Sequence, residues 1–330
     1  MKIAINGFGR IGRNIFRIAI ERKMDVVAIN DVHGIKDAEY LLKYDSVYGK
    51  FPGKVSISGN FLIVNGKKIH VLKERDPTKL PWKKLGVGIV IESTGVFTKK
   101  EDAMKHISSG AKKVIVTSPM KDSDLTIVPG VNSNKLKKNF KIISVASCTT
   151  NCAASVVKIL NDNFGIKWAF ISTVHAYTSS QSIVDSSDDN NRRRGRAAAN
   201  NIIPTSTGAS EAVVEALPEL KGKIKGLAMR VPVIDGSIID VVAELKKSFN
   251  AQKVNSVFKK VSKGLMKETL EYSEEELVSS DIIKNPHSAI IDSLMTQQEG
   301  NLVKVLAWYD NEYGYSCRVA DVVKMLEKLK

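Results

Sequence analysis

The sequence is poor in cysteine and contains no long apolar run, and each absence excludes a class of protein. Three cysteines in 330 residues cannot form the disulfide framework of a small secreted domain. We therefore predict a reducing, cytoplasmic location. No run of about 18 or more apolar residues occurs, so we predict no membrane span. The opening stretch MKIAINGFG has too short an apolar run to act as a signal peptide.

Acidic residues are also in the minority, with 35 against 50 basic residues and a formal net charge of +15. This excess is compatible with an anionic small-molecule ligand, or with nucleic acid as a secondary partner. Most of the lysines are spread along the chain, which is typical of a solvated surface. The cluster RRRGR at residues 192–196 is the exception and concentrates positive charge locally.

A chain of this length exceeds what one compact core usually requires, so we predict two domains. In the first half, short β-branched runs such as KIAING, MDVVAIND and KKVIVTS alternate with helical patterns. Continuous apolar strands separated by helices are typical of a parallel sheet covered on both faces. The pattern therefore predicts an α/β fold, with a doubly wound dinucleotide-binding domain of the Rossmann type over residues 1–147.

Longer strand patterns follow, among them KWAFISTVHAYT, IKGLAMRVPVIDGSIIDVVAEL and NLVKVLAWYD, each read as one strand. They favour a mixed or antiparallel sheet with helices on one side, and hence an α+β catalytic domain over residues 148–312. The amphipathic ending CRVADVVKMLEKLK predicts a helix within residues 313–330 that packs back on the first domain. No Pro/Gly/Ser-rich linker separates the two halves.

A glycine-rich turn follows the first predicted strand. In NGFGRIG, three glycines match the G-x-G-x-x-G pattern between a strand and a helix. Gly7 allows a tight turn, Gly9 lets a pyrophosphate approach the backbone, and Gly12 lets helix and strand pack closely. The second strand ends at Asp31, whose carboxylate can accept from ribose hydroxyls and should repel a 2′-phosphate. This arrangement predicts NAD as the cofactor.

The stretch SVASCTTNC, residues 144–152, holds two of the three cysteines and allows three interpretations. A metal site needs about four ligands, and the rest of the chain offers only Cys317 and five scattered histidines. A redox pair usually has C-x-x-C spacing, whereas three residues separate Cys148 from Cys152. In the third interpretation Cys148 is a nucleophile at a helix N-terminus, which favours the thiolate, and Cys152 is a small buried residue. We favour the third and predict no metal.

A nucleophilic thiol needs a base, and His175 is the candidate. In STVHAYTSSQ it ends a strand and precedes a hydroxyl cluster, as a residue at an active-site rim would. A Cys–His pair beside a nicotinamide predicts that the thiolate adds to an aldehyde. The hemithioacetal then gives a hydride to the cofactor while His175 takes the hydroxyl proton. The resulting thioester can be released by water, an amine, coenzyme A or phosphate.

Longer strings in the chain resemble the phosphorylating glyceraldehyde-3-phosphate dehydrogenase family. They include AINGFGRIGR, LLKYDSVYGKF, ASCTTNC, TVHAYT, NIIPTSTGA and WYDNEYGYS. The resemblance implies the reversible oxidation and phosphorylation of D-glyceraldehyde 3-phosphate to 1,3-bisphosphoglycerate, through a cysteine hemithioacetal and thioester, in glycolysis and gluconeogenesis. It also implies a homotetramer in which the segment TSSQSIVDSSDDNNRRRGR reaches towards the cofactor of a neighbouring subunit.

The resemblance further implies a role for each matching residue. Cys148 would be the nucleophile and His175 its base. The implied cofactor contacts, besides the glycine turn, are Arg10, Ile11, Asp31, Arg75, Ser118 and Asn311. The implied site for the substrate's own phosphate contains Thr178 and Arg230. The implied site for inorganic phosphate contains Ser147, Thr149, Thr207 and Gly208. Arg194 lies where the family has an anion-binding arginine.

The chain departs from the family pattern at three places. Val145 replaces an asparagine, which removes an amide near the cofactor. The string RVPVIDGSIID replaces RVPTPNVSVVD, so that residues 233–236 are atypical near the substrate site and the subunit contact. Ser186 and Ser187 stand where strictly NAD-dependent members have apolar residues or proline. This last difference predicts some tolerance of NADP.

Two other functions compete with this interpretation. A sister aldehyde dehydrogenase that releases its thioester with water, such as the erythrose-4-phosphate enzyme, is disfavoured by the intact TSTGA string. A binding protein that recruits nucleic acid through its positive charge is disfavoured by the complete set of Cys, His and anion-binding residues. Such binding would weaken steeply as salt is raised.

Overall fold

The chain divides into two compact units in the computed structural model, which describes residues 1–188 and 191–329. Unit 1 comprises residues 1–127, 134–146 and 316–330, and unit 2 comprises residues 128–133 and 147–315. The chain passes from the main part of unit 1 to the main part of unit 2 between Ala146 and Ser147. As functional domains, the ranges 1–147, 148–312 and 313–330 stay a prediction. Asp189 and Asn190, in the segment predicted to reach a neighbour, and the terminal Lys330 lie outside the described residues.

Unit 1 is built on one sheet, to which the described residues contribute nine strands. These are β1 (Ile3–Asn6), β2 (Val26–Asn30), β3 (Val55–Ser58), β4 (Phe61–Val64), β5 (Lys67–Leu72), β6 (Ile89–Glu92), β7 (Lys113–Val116), β8 (Leu125–Thr126) and β9 (Ile142–Ser144). Their order is β3-β4-β5-β2-β1-β6-β7-β9-β8. The pairs from β5 to β8 are parallel, whereas β3, β4 and β5 pair antiparallel at one edge.

The predicted doubly wound domain is confirmed in this sheet. Every residue of β1 and β6 is buried, as expected for strands that are covered on both faces. The helices of this part of the chain are α1 (Arg10–Glu21), α2 (Ile35–Lys43), α3 (Trp82–Leu85) and α4 (Lys100–Ser108). Since parallel strands share a direction, the turns after β1, β2 and β6 gather at one edge of the sheet, where ligands of such folds bind.

Unit 2 contains a mixed sheet, to which the described residues contribute seven strands. These are β10 (Ile166–Ala176), β11 (Ile203–Thr205), β12 (Ile224–Val231), β13 (Ser237–Leu245), β14 (Leu270–Ser273), β15 (Ala289–Glu299) and β16 (Leu302–Tyr309). They lie in the order β11-β12-β10-β13-β16-β15-β14. The pairs β10–β12 and β14–β15 are parallel and the others are antiparallel, which confirms the predicted α+β arrangement.

Burial alternates along β10 because only one face of this sheet is covered. Ala169, Ile171 and Thr173 are buried, whereas Trp168 and Phe170 are exposed. Helix α5 (Cys148–Phe164) contacts β10, β13, β15 and β16. The other helices of unit 2 are α6 (Ala209–Ala216) and α7 (Ala251–Lys263). The sheet thus has one packed face and one face that carries large apolar side chains.

The prediction of one continuous strand over IKGLAMRVPVIDGSIIDVVAEL was wrong. The segment forms two strands, β12 and β13, which flank β10 on opposite sides. Gly236, just before β13, has a φ of +88°, and a Cβ there would come within 2.3 Å of the Ser279 carbonyl oxygen. The atypical glycine is therefore required by the backbone at this turn.

The predicted terminal helix is α8 (Tyr313–Lys328). From Ser316 onwards it belongs to unit 1, where Arg22 pairs with Asp321 at 2.6 Å and the amino terminus pairs with Glu327. Within the described part of the chain, no helix is both long and apolar enough to cross a membrane.

Candidate active site

The stretch that holds the two cysteines forms a corner between strand β9 and helix α5. Ser144, the last residue of β9, accepts a hydrogen bond at its Oγ from the Ala146 N–H at 3.0 Å. Ala146 has a φ of +54°, and the chain then turns into the helix. Ser147 caps the helix, because its Oγ accepts from the Thr150 N–H at 3.0 Å. Cys148 is thereby fixed as the first helical residue, where the helix N-terminus favours a negative charge.

Cys148 and His175 are brought together by this corner and the end of β10. The Cys148 Sγ lies 3.5 Å from the His175 Nε2. Burial raises the pKa of the Cys148 thiol, and the nearby Arg230 guanidinium offsets part of that rise. Burial, with a further effect of Arg230, lowers the pKa of His175 to about 3. Both shifts favour the uncharged forms of the pair, and the Sγ–Nε2 distance allows proton transfer between them.

Arg230 lies next to His175 because the two residues are in register on the parallel strands β10 and β12. Its Nη1 lies 3.0 Å from the His175 Nδ1 and 2.9 Å from the Ala176 carbonyl oxygen. The same Nδ1 lies 2.7 Å from that carbonyl oxygen. Both ring nitrogens thus have partners inside the site.

Tyr309 completes the buried surroundings of the pair and was missed in the sequence. Its hydroxyl lies 2.9 Å from the Thr149 Oγ1 and 2.8 Å from the Thr173 Oγ1, and its ring packs edge-on against the His175 ring. Burial raises the pKa of the Tyr309 hydroxyl above its ordinary value, so this hydroxyl remains a neutral hydrogen-bonding group. In the sequence, Tyr309 is the last residue of the apolar run LVKVLAWY, and this position was the available signal for a buried tyrosine.

Cys152, one turn after Cys148, is fully buried, as the third interpretation predicted. Its Sγ lies 3.9 Å from the Ala307 carbonyl oxygen, and burial raises the pKa of its thiol well above the ordinary value. Cys148, Cys152 and Cys317 are all free thiols. A buried neutral thiol is a packing group, not a second reactive centre.

The residues predicted for the substrate phosphate form one cluster beside His175. The Arg230 Nη1 reaches the Thr178 Oγ1 at 3.4 Å, and Thr178 Oγ1 lies 2.9 Å from the Ser180 Oγ. Arg194 donates to the same Ser180 hydroxyl at 2.5 Å. Ser180 was not predicted, although the hydroxyl cluster after His175 contained it. We call Thr178, Ser180, Arg194 and Arg230 the two-arginine cluster.

Three buried N–H groups at or next to this cluster have no acceptor among the described residues. They are the Nε of Arg194, the Nε of Arg230 and the Nε2 of Gln181. Gln181 is close to the cluster, because the Thr178 N–H reaches its Oε1 at 3.4 Å. Buried donors normally have acceptors, and guanidinium groups suit phosphate oxygens well. The cluster therefore has the donor set of an anion site.

The residues predicted for inorganic phosphate have protein partners of their own. The Ser147 Oγ is the helix cap, and the Thr149 hydroxyl contacts Tyr309. The Thr207 Oγ1 accepts from the Ala209 N–H at 3.2 Å, and Gly208 precedes helix α6. A shared anion site of these four residues stays a prediction.

A pocket of about 500 Å³ opens at the carboxyl edge of the parallel sheet in unit 1. Its lining includes Gly7, Gly9, Asp31 and Arg75 of the predicted cofactor contacts. Gly7 has a φ of +89°, and a Cβ there would lie 2.7 Å from the Thr94 nitrogen. A Cβ at Gly9 would meet no described atom within 4 Å and would project into the open pocket. The backbone here thus leaves the space that a pyrophosphate needs.

Asp31 is fixed in this pocket by two backbone hydrogen bonds. Its Oδ2 accepts from the Phe8 N–H at 2.7 Å and its Oδ1 from the His33 N–H at 2.9 Å. A carboxylate has further lone pairs, so both oxygens can still accept from ribose hydroxyls. The glycine turn, the open backbone and this carboxylate together fit a dinucleotide.

The other predicted cofactor contacts do not line this pocket. Arg10 and Ile11 begin helix α1, and the Arg10 Nη1 pairs with Asp45 at 2.8 Å. Gly12 packs helix to strand, since a Cβ there would lie 2.1 Å from the Gly7 oxygen. The Ser118 carbonyl accepts from the Ser144 hydroxyl in unit 1. Asn311 belongs to unit 2, where its Oδ1 accepts from the Ser237 hydroxyl at 2.7 Å.

The atypical residues fit their surroundings. Val145 is fully buried, and its N–H donates to the Val116 oxygen at 3.0 Å. The Ser186 hydroxyl lies 2.6 Å from the Ser182 hydroxyl, and the Ser186 N–H donates to the Gly195 oxygen.

Within residues 1–188 and 191–329, no group of three His, Cys, Asp or Glu side chains could hold a metal ion.

Comparisons with known proteins match the same family along nearly the whole chain. Residues 1–100 match the family model of the glyceraldehyde 3-phosphate dehydrogenase NAD binding domain, and residues 147–311 match that of its C-terminal domain. Glyceraldehyde-3-phosphate dehydrogenase 1 of Bacillus subtilis (strain 168) is 54% identical over 331 residues, covering 99% of this chain and 98% of that protein. Glyceraldehyde-3-phosphate dehydrogenase of Streptomyces coelicolor (strain ATCC BAA-471 / A3(2) / M145) is 51% identical, with 98% and 97% covered. Glyceraldehyde-3-phosphate dehydrogenase 1 of Kluyveromyces marxianus is 50% identical, with 98% and 99% covered.

Proposed function

The chain belongs to the glyceraldehyde-3-phosphate dehydrogenase family, and on that premise we propose that Cys148 and His175 perform its chemistry. The protein is an NAD-dependent, phosphorylating aldehyde dehydrogenase of glycolysis and gluconeogenesis. It converts D-glyceraldehyde 3-phosphate and inorganic phosphate reversibly to 1,3-bisphosphoglycerate. The observation that carries the residue assignment is the 3.5 Å approach of the Cys148 Sγ to the His175 Nε2, beside Arg230.

The proposed acylation step uses both members of this pair. The Cys148 thiol passes its proton to the His175 Nε2 while the sulfur adds to the aldehyde carbon, and the proton then moves to the new alkoxide. Bound NAD supplies the hydride acceptor. As the hydride leaves, Nε2 takes back the hydroxyl proton, the carbonyl forms again and Cys148 carries a thioester. Inorganic phosphate then attacks the thioester, the sulfur leaves, and an acyl phosphate is formed.

The two-arginine cluster supports binding of the substrate's own phosphate. Arg230 and Arg194 bring two guanidinium groups to the hydroxyls of Thr178 and Ser180, and both Nε–H groups are without an acceptor among the described residues. We assign the attacking phosphate to Ser147, Thr149, Thr207 and Gly208, as the family resemblance implies. For the cofactor we assign the pocket of unit 1 at Gly7, Gly9, Asp31 and Arg75, together with Arg10, Ile11, Gly12 and Ser118 of the same unit. The family resemblance implies a further cofactor contact at Asn311.

A steady-state assay with and without phosphate tests the phosphorylating reaction. We expect NADH formation from D-glyceraldehyde 3-phosphate to fall to a small residual rate when phosphate and arsenate are omitted, because the thioester then accumulates on Cys148. Undiminished turnover without these anions would favour release by water, and with it the sister aldehyde dehydrogenase. Running the same assay with NADP gives the ratio of kcat/KM for the two cofactors.

NADP use is predicted to be weak but measurable in that assay. Ser186 and Ser187 favour tolerance, whereas the Asp31 carboxylate, fixed by two N–H groups, repels a 2′-phosphate. For Asp31→Ala we expect the NADP to NAD ratio of kcat/KM to rise by about 100-fold, which corresponds to about 2.7 kcal/mol. Asp37→Ala is the matched control, because Asp37 lines the same pocket but is exposed to solvent. An unchanged ratio in Asp31→Ala would exclude Asp31 as the determinant.

We also propose a homotetramer, supported by two exposed apolar surfaces on unit 2. The uncovered sheet face carries Trp168, Phe170 and Leu227, which are 37%, 52% and 46% exposed. The segment of residues 178–196 carries Ile183 and Val184, which are 85% and 71% exposed. Contiguous exposed apolar surface is typical of an interface, and two self-complementary contacts suffice for a tetramer with two-fold axes.

The sheet face gives a direct test of this assembly. We expect Phe170→Asp to reduce the particle mass in sedimentation to that of a dimer or monomer, because a charge would be buried without a partner. Leu265→Asp is the control, since Leu265 is 96% exposed and lies outside the sheet. A full-mass tetramer in Phe170→Asp would argue against this face as an interface.

The cytoplasmic location is likewise a proposal, supported by three free thiols.

A further inference from the structure

A row of buried polar side chains crosses the sheet of unit 1 at the edge where the cofactor pocket opens. Asn30, Asn6 and Glu92 are the last residues of β2, β1 and β6, and the strand register places them side by side. His106 of α4 and Trp82 of α3 continue the row beyond Glu92. All five are buried, Asn30 being the most exposed at 4%, and both asparagines line the pocket. We call these five residues the floor network.

The indole of Trp82 fixes the direction of the hydrogen bonds at one end of the floor network. Its Nε1–H can only donate, and it lies 3.0 Å from the His106 Nδ1. Nδ1 therefore carries a lone pair, and the proton of the ring is on Nε2. The His106 Nε2 lies 3.0 Å from the Glu92 Oε2, so this carboxyl oxygen must accept.

The backbone of Glu74 fixes the direction at the other end. Its N–H donates to the Asn30 Oδ1 at 2.9 Å, and its carbonyl oxygen accepts from the Asn30 Nδ2 at 2.8 Å. The Asn30 amide can therefore not be turned over, and its Nδ2 also donates to the Asn6 Oδ1 at 2.6 Å. The Asn6 Nδ2 in turn donates to the Glu92 Oε2 at 2.6 Å. Oε2 thus accepts from both ends of the network, and the 3.5 Å between the Asn6 Nδ2 and the His106 Nε2 separates two donors that share it.

The second carboxyl oxygen of Glu92 holds the turn that follows β6. Its Oε1 accepts from the Thr94 N–H at 2.8 Å and contacts the Thr94 hydroxyl, whose oxygen accepts from the Val96 N–H at 3.1 Å. A Cβ at Gly7 would lie 2.7 Å from the Thr94 nitrogen, so the glycine turn packs directly against this backbone. Gly7, Thr94 and Val96 all line the pocket. Glu92 thereby connects the turn after β6 to the floor of the pocket.

Residue 92 has to accept on both sides, which only a carboxylate can do. An amide whose NH₂ group took the place of Oε2 would face two donors, from Asn6 and His106. Turned the other way, its NH₂ group would face the Thr94 N–H. The second orientation leaves one N–H without an acceptor, whereas the first leaves two, so Glu92→Gln should adopt the second. The variant should therefore release Thr94 and keep the hydrogen bonds between the two asparagines.

We propose that Glu92 is a positioning residue for the cofactor, which fixes the pocket floor at Asn6 and the pocket wall at Thr94 before NAD binds. Buried polar networks whose members are all satisfied make their surroundings rigid. A pocket that is ordered in advance spares the cofactor the free-energy cost of ordering it. The proposal rests on the proposed function, in which this pocket holds NAD.

Equilibrium titration with NAD, together with steady-state kinetics, tests this role in Glu92→Gln. We expect the Kd and the KM for NAD to rise by about tenfold, within the range expected when one N–H is left without its acceptor. At saturating NAD, kcat should stay within about threefold, because the loss affects binding of the cofactor in ground state and transition state alike. An unchanged Kd for NAD in Glu92→Gln would overturn the proposal.

Glu101→Gln is the matched control, because it makes the same atomic change on α4 at a side chain that is 76% exposed. We expect its Kd for NAD to stay within about twofold of that of the unmodified enzyme. If the unmodified enzyme binds no NAD, the assignment of the cofactor pocket itself fails. If it binds NAD and Glu92→Gln binds it equally well, only the positioning role fails.

Amide hydrogen exchange separates this local role from a general loss of stability, and it requires no turnover. In the cofactor-free, unmodified enzyme we expect the Thr94 amide to be protected. In Glu92→Gln it should exchange at least about tenfold faster, while the amides of β13 in unit 2 keep their rates. An equal acceleration in β13 would reduce Glu92 to a residue of general stability. A Thr94 amide that is unprotected in the unmodified enzyme until NAD is added would refute the proposal, whether or not Glu92→Gln folds.

Discussion

Cys148→Ser should lower kcat for NADH formation by on the order of 10³-fold or more, because a serine hydroxyl is a much weaker nucleophile than a thiol. The serine fits the corner, since Ser147 still caps the helix through the Thr150 N–H at 3.0 Å. The pocket of unit 1 is lined by other residues, so the affinity for NAD should change by no more than about twofold. Stopped-flow absorbance and equilibrium titration with NAD measure the two quantities.

Cys152→Ser is the matched control for this variant. It makes the same atomic change one turn further along α5, at a thiol that is fully buried and does not contact His175. We expect turnover to remain within about threefold, while the free energy of unfolding falls by about 1–3 kcal/mol for the buried hydroxyl. Turnover retained in Cys148→Ser, or lost in Cys152→Ser alone, would reverse the assignment of the nucleophile.

His175→Gln should lower the acylation rate by about 10²–10⁴, the usual contribution of a general base. It should also change the pH profile. In the unmodified enzyme the pKa of His175 is about 3, so protonation of this ring should not reduce acylation between about pH 5 and 9. In the variant the thiolate must form without help, and the raised pKa of Cys148 should give about a tenfold gain in rate per pH unit across that range.

Stability gives an independent check on the same histidine. Its folded pKa is lowered, so the unfolded chain takes up a proton below about pH 6.5 that the native ring does not. The native state should lose about 1.4 kcal/mol per pH unit from this residue as the pH falls towards 3. His175→Gln should remove that loss, and His70→Gln, at a partly exposed ring, should not. Denaturant unfolding between pH 4 and 7 measures the difference; equal slopes would contradict the pKa of about 3.

The parts of the site that lie close together in sequence could be predicted from the sequence. The glycine turn, Asp31 and the corner at Cys148 each depend on a strand that runs directly into a turn or helix, and local patterns specify such units. Cys148 and His175 were also separable from Cys152 and the other histidines by context alone. The NAD-binding fold class followed from the alternation of short apolar strands with helices, and the α+β class from the longer strands after residue 148.

What could not be predicted depends on strand register. Arg230 meets His175 because β12 pairs parallel to β10 with these two residues opposite each other, 55 positions apart in the chain. A slip of one residue would turn either side chain to the other face of the sheet. The division of one apolar run into β12 and β13 has a different cause, because it depends on the local turn that ends at Gly236. Tyr309 reaches Thr149 and Thr173 only through the pairing of β16 with β13 and of β13 with β10.

The left-handed backbone at Ala146 has a consequence for how this protein can evolve. An alanine in that conformation costs about 1–2 kcal/mol, whereas a glycine would adopt it freely. The chain keeps the costlier residue two positions before its nucleophile. Glycine would also widen the range of conformations open to this corner, and so to the thiol that follows it. Ala146→Gly would therefore remove strain at the corner and at the same time loosen the backbone that holds the thiol.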